Sequence, residues 1–188
     1  MAKKHFPDAR KSHLNLIQEL KTNPDAIYIY TDGSLIRKAG FSRAGAGVTA
    51  YLLGNEIEHA RIGLGGHAEV FDAEMAALAK GASIASDLIK DFPNTSQLAF
   101  FSDNAAAIRA IADPKPSSAQ FFTLSFHKLI LRLLETHPHL TITASWCPSH
   151  CDIPGNERAD ALAKEATALG CHSVQHDQML NAVSKQPH

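Results

Sequence analysis

The chain has 188 residues, 45% of them hydrophobic, which is enough for one well-packed domain of ordinary size. It has no run of about eighteen apolar residues that could cross a bilayer, and its start lacks the apolar segment of a secretion signal. Residues 26–170 carry 12 Lys and Arg against 15 Asp and Glu, a net charge of −3, whereas proteins that hold nucleic acid by their own charge are normally basic. We expect a monomeric, intracellular protein with no membrane segment.

The three cysteines, Cys147, Cys151 and Cys171, cannot form an even disulfide framework, which agrees with a reducing compartment. Cys147, His150 and Cys151 offer possible zinc ligands close together. A closed zinc site needs a fourth ligand, however, and the paired Cys-x-x-Cys or His-x-x-x-His spacing is absent. We therefore interpret the cysteines as small buried apolar residues.

The leader, residues 1–25, contains a predicted amphipathic helix over 8–21. Its apolar positions recur at helical spacing: Leu14, Leu16, Ile17 and Leu20. Asp8 is the predicted N-cap, and Asn23-Pro24 ends the helix. A helix docked on the domain and a semi-ordered leader both fit this pattern.

The next segment is rich in β-branched, aromatic and small residues and predicts three strands, over 26–32, 45–53 and 56–64. Gly54-Asn55 is a two-residue hairpin signal between the second and third strands. Twelve residues rich in Gly, Ser and Arg separate the first strand from the second and predict a loop. Three consecutive antiparallel strands fit this pattern best.

A long helix is predicted over 68–90. Its inward positions recur at spacings of four and three: Phe71, Met75, Leu78, Ala82 and Ala85. Glu74 belongs to the same face. A lone glutamate at the margin of such a stripe ordinarily keeps its carboxylate in water. Here the helix would direct it toward the sheet that carries Asp32, so we interpret Glu74 as functional.

The second half of the domain alternates between strands and helices. We predict a strand over 97–102, helices over 104–112 and 118–136, a strand over 140–146 and a helix over 156–169. Residues further on have few apolar side chains and no period.

This order of elements predicts an α/β fold with a five-stranded mixed sheet, three antiparallel strands followed by two parallel ones, flanked by helices. Right-handed crossovers place the fourth strand parallel to the first. We divide the chain into the leader at 1–25, a catalytic domain at 26–170 and a flexible tail at 171–188.

Four carboxylates converge in this arrangement. Asp32 ends the first strand and Asp103 directly follows the fourth, where open α/β sheets place their chemistry, and Glu74 and Asp160 lie on helices. Asn156 is the predicted N-cap of the last helix, whose dipole favours Asp160 modestly. Four acids at one sheet edge repel one another unless cations join them. The sequence therefore predicts a site for divalent metal, and hard carboxylate oxygens suit Mg²⁺ or Mn²⁺.

Four motifs resemble, in order and spacing, those of type 1 ribonuclease H. They are Thr31-Asp32-Gly33-Ser34, the run from Phe71 to Leu78, Ser102-Asp103-Asn104, and the run from Trp146 to Asp160. The resemblance covers about residues 26–168 and is nearest to the RNase H domain that accompanies reverse transcriptases in non-LTR retrotransposons. It implies an RNase H-like fold. It also implies that Asp32, Glu74, Asp103 and Asp160 bind two metal ions, with Asp32 bridging them.

The resemblance also assigns the loop before the last helix. His150 matches the family's mobile histidine, which implies a part in proton transfer or product release, and an imidazole can serve as a proton shuttle. The family usually has Gly or a similarly small residue before this histidine and a neutral residue after it. In this chain Ser149 and Cys151 flank it. The implied contacts to the substrate backbone are Gly33, Ser34 and Asn104.

The activity implied by the resemblance is hydrolysis of the RNA strand of RNA/DNA hybrids by a two-metal-ion mechanism. Because such enzymes read the 2′-hydroxyl and the backbone, we expect cleavage to be largely independent of sequence. The alternatives are a non-catalytic hybrid-binding domain and a DNA nuclease or transposase on the same fold. The acidic domain adds a hypothesis, that a tethered reverse transcriptase domain holds the protein on its substrate.

Overall fold

The computed structural model describes residues 6–38 and 40–169. In chain order the elements are α1 (Phe6–Thr22), β1 (Ala26–Lys38), β2 (Phe41–Leu52), β3 (Asn55–Gly65), α2 (Val70–Asp91), β4 (Gln97–Ser102), α3 (Ala105–Ala112), α4 (Gln120–Thr136), β5 (Thr141–Trp146) and α5 (Pro154–Ala168). None of these helices is long and apolar enough to cross a membrane. The tail predicted at 171–188 lies outside the described residues.

The strands form one sheet in the order β3-β2-β1-β4-β5. β2 is antiparallel to both β1 and β3, while β4 is parallel to β1 and to β5. The predicted mixed sheet, with three antiparallel strands followed by two parallel ones, is confirmed. The right-handed crossover argument also placed β4 correctly beside β1.

The prediction of a twelve-residue loop after Asp32 is wrong. β1 and β2 continue as a hairpin as far as the pair Lys38 and Phe41. The small residues in this segment suggested turns, but a two-stranded ladder satisfies its own backbone groups and needs a permissive residue only at its tip. Gly40, with φ of 86°, fills that role.

The turn between β2 and β3 is displaced by one residue from the predicted Gly54-Asn55. Leu53 and Gly54 have positive φ angles of 51° and 81°, and Asn55 is already the first residue of β3. Two successive positive φ angles match the twist of an antiparallel hairpin. Gly54 therefore serves as the second turn residue rather than the first.

The two faces of the sheet differ in the side chains that they bury. One face, here called the aliphatic face, packs on α2 and α4 through a cluster that includes Ile27, Ile29, Met75, Leu78, Leu98 and Phe100. The opposite face packs on α1 and α5 through Ile17, Leu20, Tyr28, Tyr30, Phe101 and Ile153, and is here called the tyrosine face. The alternation along β1 sends successive residues to opposite faces.

Helix α1 docks on the tyrosine face, which the sequence left open. His13, Ile17 and Leu20 are buried, whereas Leu16, predicted within the apolar stripe, is 36% exposed. His13 takes an inward position because its Nε2 is joined to a buried tyrosine hydroxyl by a 2.7 Å hydrogen bond. The helix begins at Phe6, so Asp8 lies in its first turn and is not its N-cap.

Helix α5 also begins earlier than predicted, at Pro154, with Ile153 as its N-cap residue. Proline is favoured at the first helical position because its fixed φ suits the helix and its missing N–H would be unpaired there. The predicted N-cap, Asn156, therefore lies inside the first turn and is buried. Cys147, at the end of β5, is fully buried, as expected of a small apolar residue.

Candidate metal-binding active site

The parallel pairing of β1 with β4 brings two aspartates together. Thr31 pairs with Ser102, so Asp32 and Asp103 both follow the last pair of this ladder. The carboxylate oxygens of Asp32, Glu74 and Asp103 lie within 4.8 Å of one another. Three of the four predicted metal-binding carboxylates thus form one cluster at the carboxyl edge of the parallel strands.

Glu74 reaches this cluster because α2 lies directly against β1 at Gly33. A Cβ atom at position 33 would come within 2.5 Å of the Glu74 backbone nitrogen, so any side chain there would push the helix away. Glu74 is only 4% exposed. Because Gly33 has no side chain, α2 can pack close enough to β1 for the Glu74 carboxylate to reach the edge of the parallel strands.

Asp160 is delivered from the other face in a similar way. Gly47 of β2 pairs with Asp32, and a Cβ at position 47 would lie 2.2 Å from the Ala159 carbonyl oxygen of α5. The close approach places the Asp160 carboxyl against that of Asp32. Asp160 is not within the 4.8 Å cluster, and its Oδ2 accepts a 2.6 Å hydrogen bond from Lys164 Nζ.

The carboxyl groups perturb one another strongly. Burial raises the pKa of Asp32 to about 8, and the nearby charges of Asp103 and Asp160 add to the shift. Burial likewise raises the pKa of Glu74 to about 9, followed by the charges of Asp32 and Asp103. The buried Oε2 of Glu74 has no hydrogen-bond partner. A divalent cation fits this site because it would neutralise the acids and give that oxygen a partner.

Asn156, which the sequence marked only as a cap, connects the cluster to the core. Its Nδ2 donates to Asp103 Oδ2 at 3.3 Å, and its Oδ1 accepts from the Cys147 thiol at 3.2 Å. Trp146 Nε1 donates to the Asp103 carbonyl at 2.8 Å. The thiol contact fixes which end of the Asn156 amide faces Asp103, so this residue orients a candidate ligand. Its position one helical turn before Asp160 is the signal that could have indicated this role.

His150 is exposed and lies in the loop between β5 and α5, with a φ of 50°. It is not a member of the carboxylate cluster. This separation agrees with a residue that acts on a bound substrate or product rather than on the metal.

The predicted substrate contacts have structural roles of their own. The Asn104 side chain caps α3 by accepting from the Ala106 and Ala107 amides, and it lies near the Glu74 carboxyl. Ser34 lies on β1 opposite Gly45 and is half-buried. Gly33 is needed for the approach of α2. Contact of any of the three with substrate stays a prediction.

Solved structures share this fold. LC11-RNase H1, isolated from compost by a metagenomic approach, matches with 21% identity over 77% of this chain and 96% of its own, with a TM-score of 0.58. The N-terminal RNase H domain of Rv2228c from Mycobacterium tuberculosis matches with 16% identity over 85% of this chain and 99% of the other, with a TM-score of 0.58. The foamy viral protease-reverse transcriptase matches with 20% identity over 79% of this chain and 96% of that chain, also with a TM-score of 0.58.

At the level of sequence, the match is to a family model, and no curated protein sequence matches the chain. The family model described as RNase H matches residues 24–168, which includes all five strands and the four predicted carboxylates. The chain belongs to the ribonuclease H family.

Proposed function

We propose that the chain hydrolyses the RNA strand of RNA/DNA hybrids with the help of two divalent ions. The observation that carries this proposal is the cluster of Asp32, Glu74 and Asp103, with Asp160 beside it, on a ribonuclease H fold. Without a cation, burying these carboxyl groups and leaving one oxygen without a hydrogen-bond partner destabilises the fold, whereas a bound cation would coordinate the same oxygens. Mg²⁺ and Mn²⁺ match its hard oxygen ligands.

The site residues would have different roles in this reaction. The four acids would hold the ions, and the resemblance to type 1 ribonuclease H implies that Asp32 would contact both, with Glu74 and Asp103 on one side and Asp160 on the other. Bound ions would supply an activated water and charge relief on the phosphate and leaving oxygen. Asn156 holds the orientation of Asp103, and His150 would move a proton or assist product release.

The family and one relative support the proposed substrate class. LC11-RNase H1 has been solved in complex with an RNA/DNA hybrid, and that structure matches 76% of this chain with 22% identity. Backbone and 2′-hydroxyl contacts distinguish RNA from DNA without reading bases. Gly33, Ser34 and Asn104 lie beside the carboxylates and would supply such contacts, so cleavage would be largely independent of sequence.

The test is cleavage of end-labelled RNA in a hybrid, with Mg²⁺ and with chelator, beside matched RNA/RNA and DNA/DNA duplexes. Cutting of the hybrid's RNA alone, lost in chelator and in the Asp103→Asn protein, supports the proposal. Binding of the hybrid without cleavage in either metal would favour a non-catalytic binding domain. Cleavage of the DNA/DNA duplex would favour a DNA nuclease or transposase on the same fold.

The proposed biological setting is a reverse transcriptase of a non-LTR retrotransposon, acting inside the cell with the monomeric domain tethered to it. Two observations support the tether, the net negative charge of residues 26–170 and the likeness to a viral protease-reverse transcriptase. A salt titration of hybrid binding tests it. Weak binding at about 0.15 M salt, with a shallow salt dependence, is expected because few phosphates would be neutralised. Tight binding that persists at this salt concentration would contradict the tether.

A further inference from the structure

Helix α1 lies outside the residues that the family model matches, yet it packs directly on the tyrosine face of the sheet. Its buried residues are His13, Ile17 and Leu20. Arg10 precedes them by three residues, and the spacings of three, four and three put all four on one side of the helix. Among the side chains of α1 that the structure describes, the inward face therefore includes a half-buried arginine.

Arg10 reaches the loop that carries His150. Its Nε donates a 2.5 Å hydrogen bond to the Cys151 carbonyl, 141 residues further along the chain. Cys151 stands between two non-glycine residues with left-handed backbone, His150 with φ of 50° and Asp152 with φ of 52°. Each such conformation is unfavourable for an L-residue, so contacts from outside the loop have to maintain it.

The two ends of this loop are held by the sheet and the core. At its start, the Cys147 N–H donates to the Ser102 carbonyl at 3.0 Å, and at its end Ile153 is buried in the same cluster as Ile17. The side chains of His150 and Asp152, between these anchors, are exposed. The Arg10 hydrogen bond thus acts on the middle of the loop, at the carbonyl directly after the histidine.

We propose that Arg10 is a positioning residue that sets the conformation of the His150 loop, and that α1 is the element that holds Arg10 in place. The inference rests on the proposed function, since it assumes that His150 takes part in cleavage. Arg10 itself is not part of the carboxylate cluster. Its loss should leave metal binding intact and reduce only the contribution made through His150.

The loop itself is tested first, by hydrogen exchange in the full chain without metal or hybrid. Arg10→Ala should speed exchange in the peptide spanning 147–153 about tenfold, as expected for one lost charge-assisted hydrogen bond. Lys11→Ala is the matched control, because it removes the same charge from an exposed neighbour on the same helix. Arg10→Lys, which keeps the charge but moves the donor, should give an intermediate rate. Unchanged loop exchange in Arg10→Ala would overturn the proposal.

The second test is single-turnover cleavage of a hybrid by Arg10→Ala, His150→Ala and the double variant. Arg10→Ala should slow cleavage about tenfold with an unchanged dependence on Mg²⁺ concentration, and the double variant should be no slower than His150→Ala alone. Multiplying effects in the double variant, or an equal loss in Lys11→Ala, would overturn the positioning role. If the wild-type protein cuts no hybrid, the proposed function fails, and the exchange experiment still decides whether Arg10 holds the loop.

Discussion

The aliphatic and tyrosine faces of the same sheet are built differently. The aliphatic face buries Ile27, Ile29, Leu98 and Phe100 against α2 and contains almost only apolar atoms. The tyrosine face buries rings that carry polar atoms, and the Tyr30 ring meets those of Tyr28 and His13 edge to face. One face resembles an ordinary domain core, and the other is a partly polar layer beneath the candidate active site.

The difference shows how the fold separates stability from chemistry. Apolar burial needs no partner geometry, so the aliphatic face can stabilise the domain whatever the site contains. The tyrosine face includes polar groups whose contribution to stability depends on hydrogen-bond partners, and the Tyr28 hydroxyl has no such partner. The carboxylates draw on both faces, because Glu74 arrives from α2 and Asp160 from α5. Perturbing the two faces should therefore have different effects on cleavage and on folding.

The largest expected effect is on cleavage, from Glu74→Gln. Loss of one proposed ligand should slow cleavage about a thousandfold or more, since the charge of the bound ions would lower the barrier by several kcal/mol. In chelator the same variant should be more stable by about 1 to 2 kcal/mol. The reason is that the pKa of Glu74 is raised from its unfolded value of 4.5 to about 9, so at pH 7 the carboxyl destabilises the folded state.

Cleavage assays and urea unfolding with chelator measure the two effects. Asp87→Asn is the control, because that side chain lies on the same helix and is 71% exposed. Both its activity and its stability should match those of the wild type. A Glu74→Gln protein that is less stable than the wild type in chelator would show that this carboxyl does not oppose folding.

A smaller but still large effect is expected from the aliphatic face, in Leu98→Ala. The residue is fully buried, and truncation should cost about 3 kcal/mol of unfolding free energy. Ile17→Ala, on α1, should cost less, about 1 kcal/mol, because the helix can detach locally while the sheet stays folded. Leu124→Ala, at a position 57% exposed, serves as the control. Equal losses for Leu98 and Ile17 would mean that α1 folds as one unit with the sheet.

The close approach of α5 to β2 is tested by Gly47→Ala. The added methyl would lie 2.2 Å from the Ala159 carbonyl and 2.4 Å from the Ala163 nitrogen, so α5 must move. We expect a loss of about 2 kcal/mol in stability together with reduced cleavage, because Asp160 moves with the helix. Gly40→Ala, with open space around its Cβ, should lose only about 1 kcal/mol from its positive φ and retain cleavage. Full activity in Gly47→Ala would show that the position of Asp160 tolerates this displacement.

The site was more predictable from sequence than the surroundings that hold it. Asp32 and Asp103 could be placed because strand periodicity and the right-handed crossover set β4 parallel to β1, so that both aspartates follow the last parallel pair. Glu74 could be placed because helical periodicity fixes its face. The roles of Gly33 and Gly47 were not predictable, because a glycine in a strand indicates a turn or a close approach equally well. The contact of Arg10 with Cys151 joins residues 141 positions apart through one hydrogen bond, and no local pattern indicates such a pair.

The smallest expected effect concerns the pH dependence of α1 docking. Burial lowers the pKa of His13 from 6.5 to about 4, so the unfolded or undocked chain takes up a proton before the docked one does. Docking should therefore be at full strength above pH 6.5 and weaken progressively as the pH falls toward 4. The loss should reach about 1 kcal/mol at pH 5, limited by the ability of α1 to detach on its own.

Hydrogen exchange of the α1 peptide at pH 7 and pH 5, corrected for intrinsic rates, measures this loss. His13→Gln, which stays neutral and can still hydrogen-bond Tyr30, should flatten the difference, whereas His59→Gln, at an exposed position on β3, should leave it unchanged. A His13→Gln protein with the pH dependence of the wild type would assign the effect to another group and leave the tyrosine face insensitive to protonation of His13.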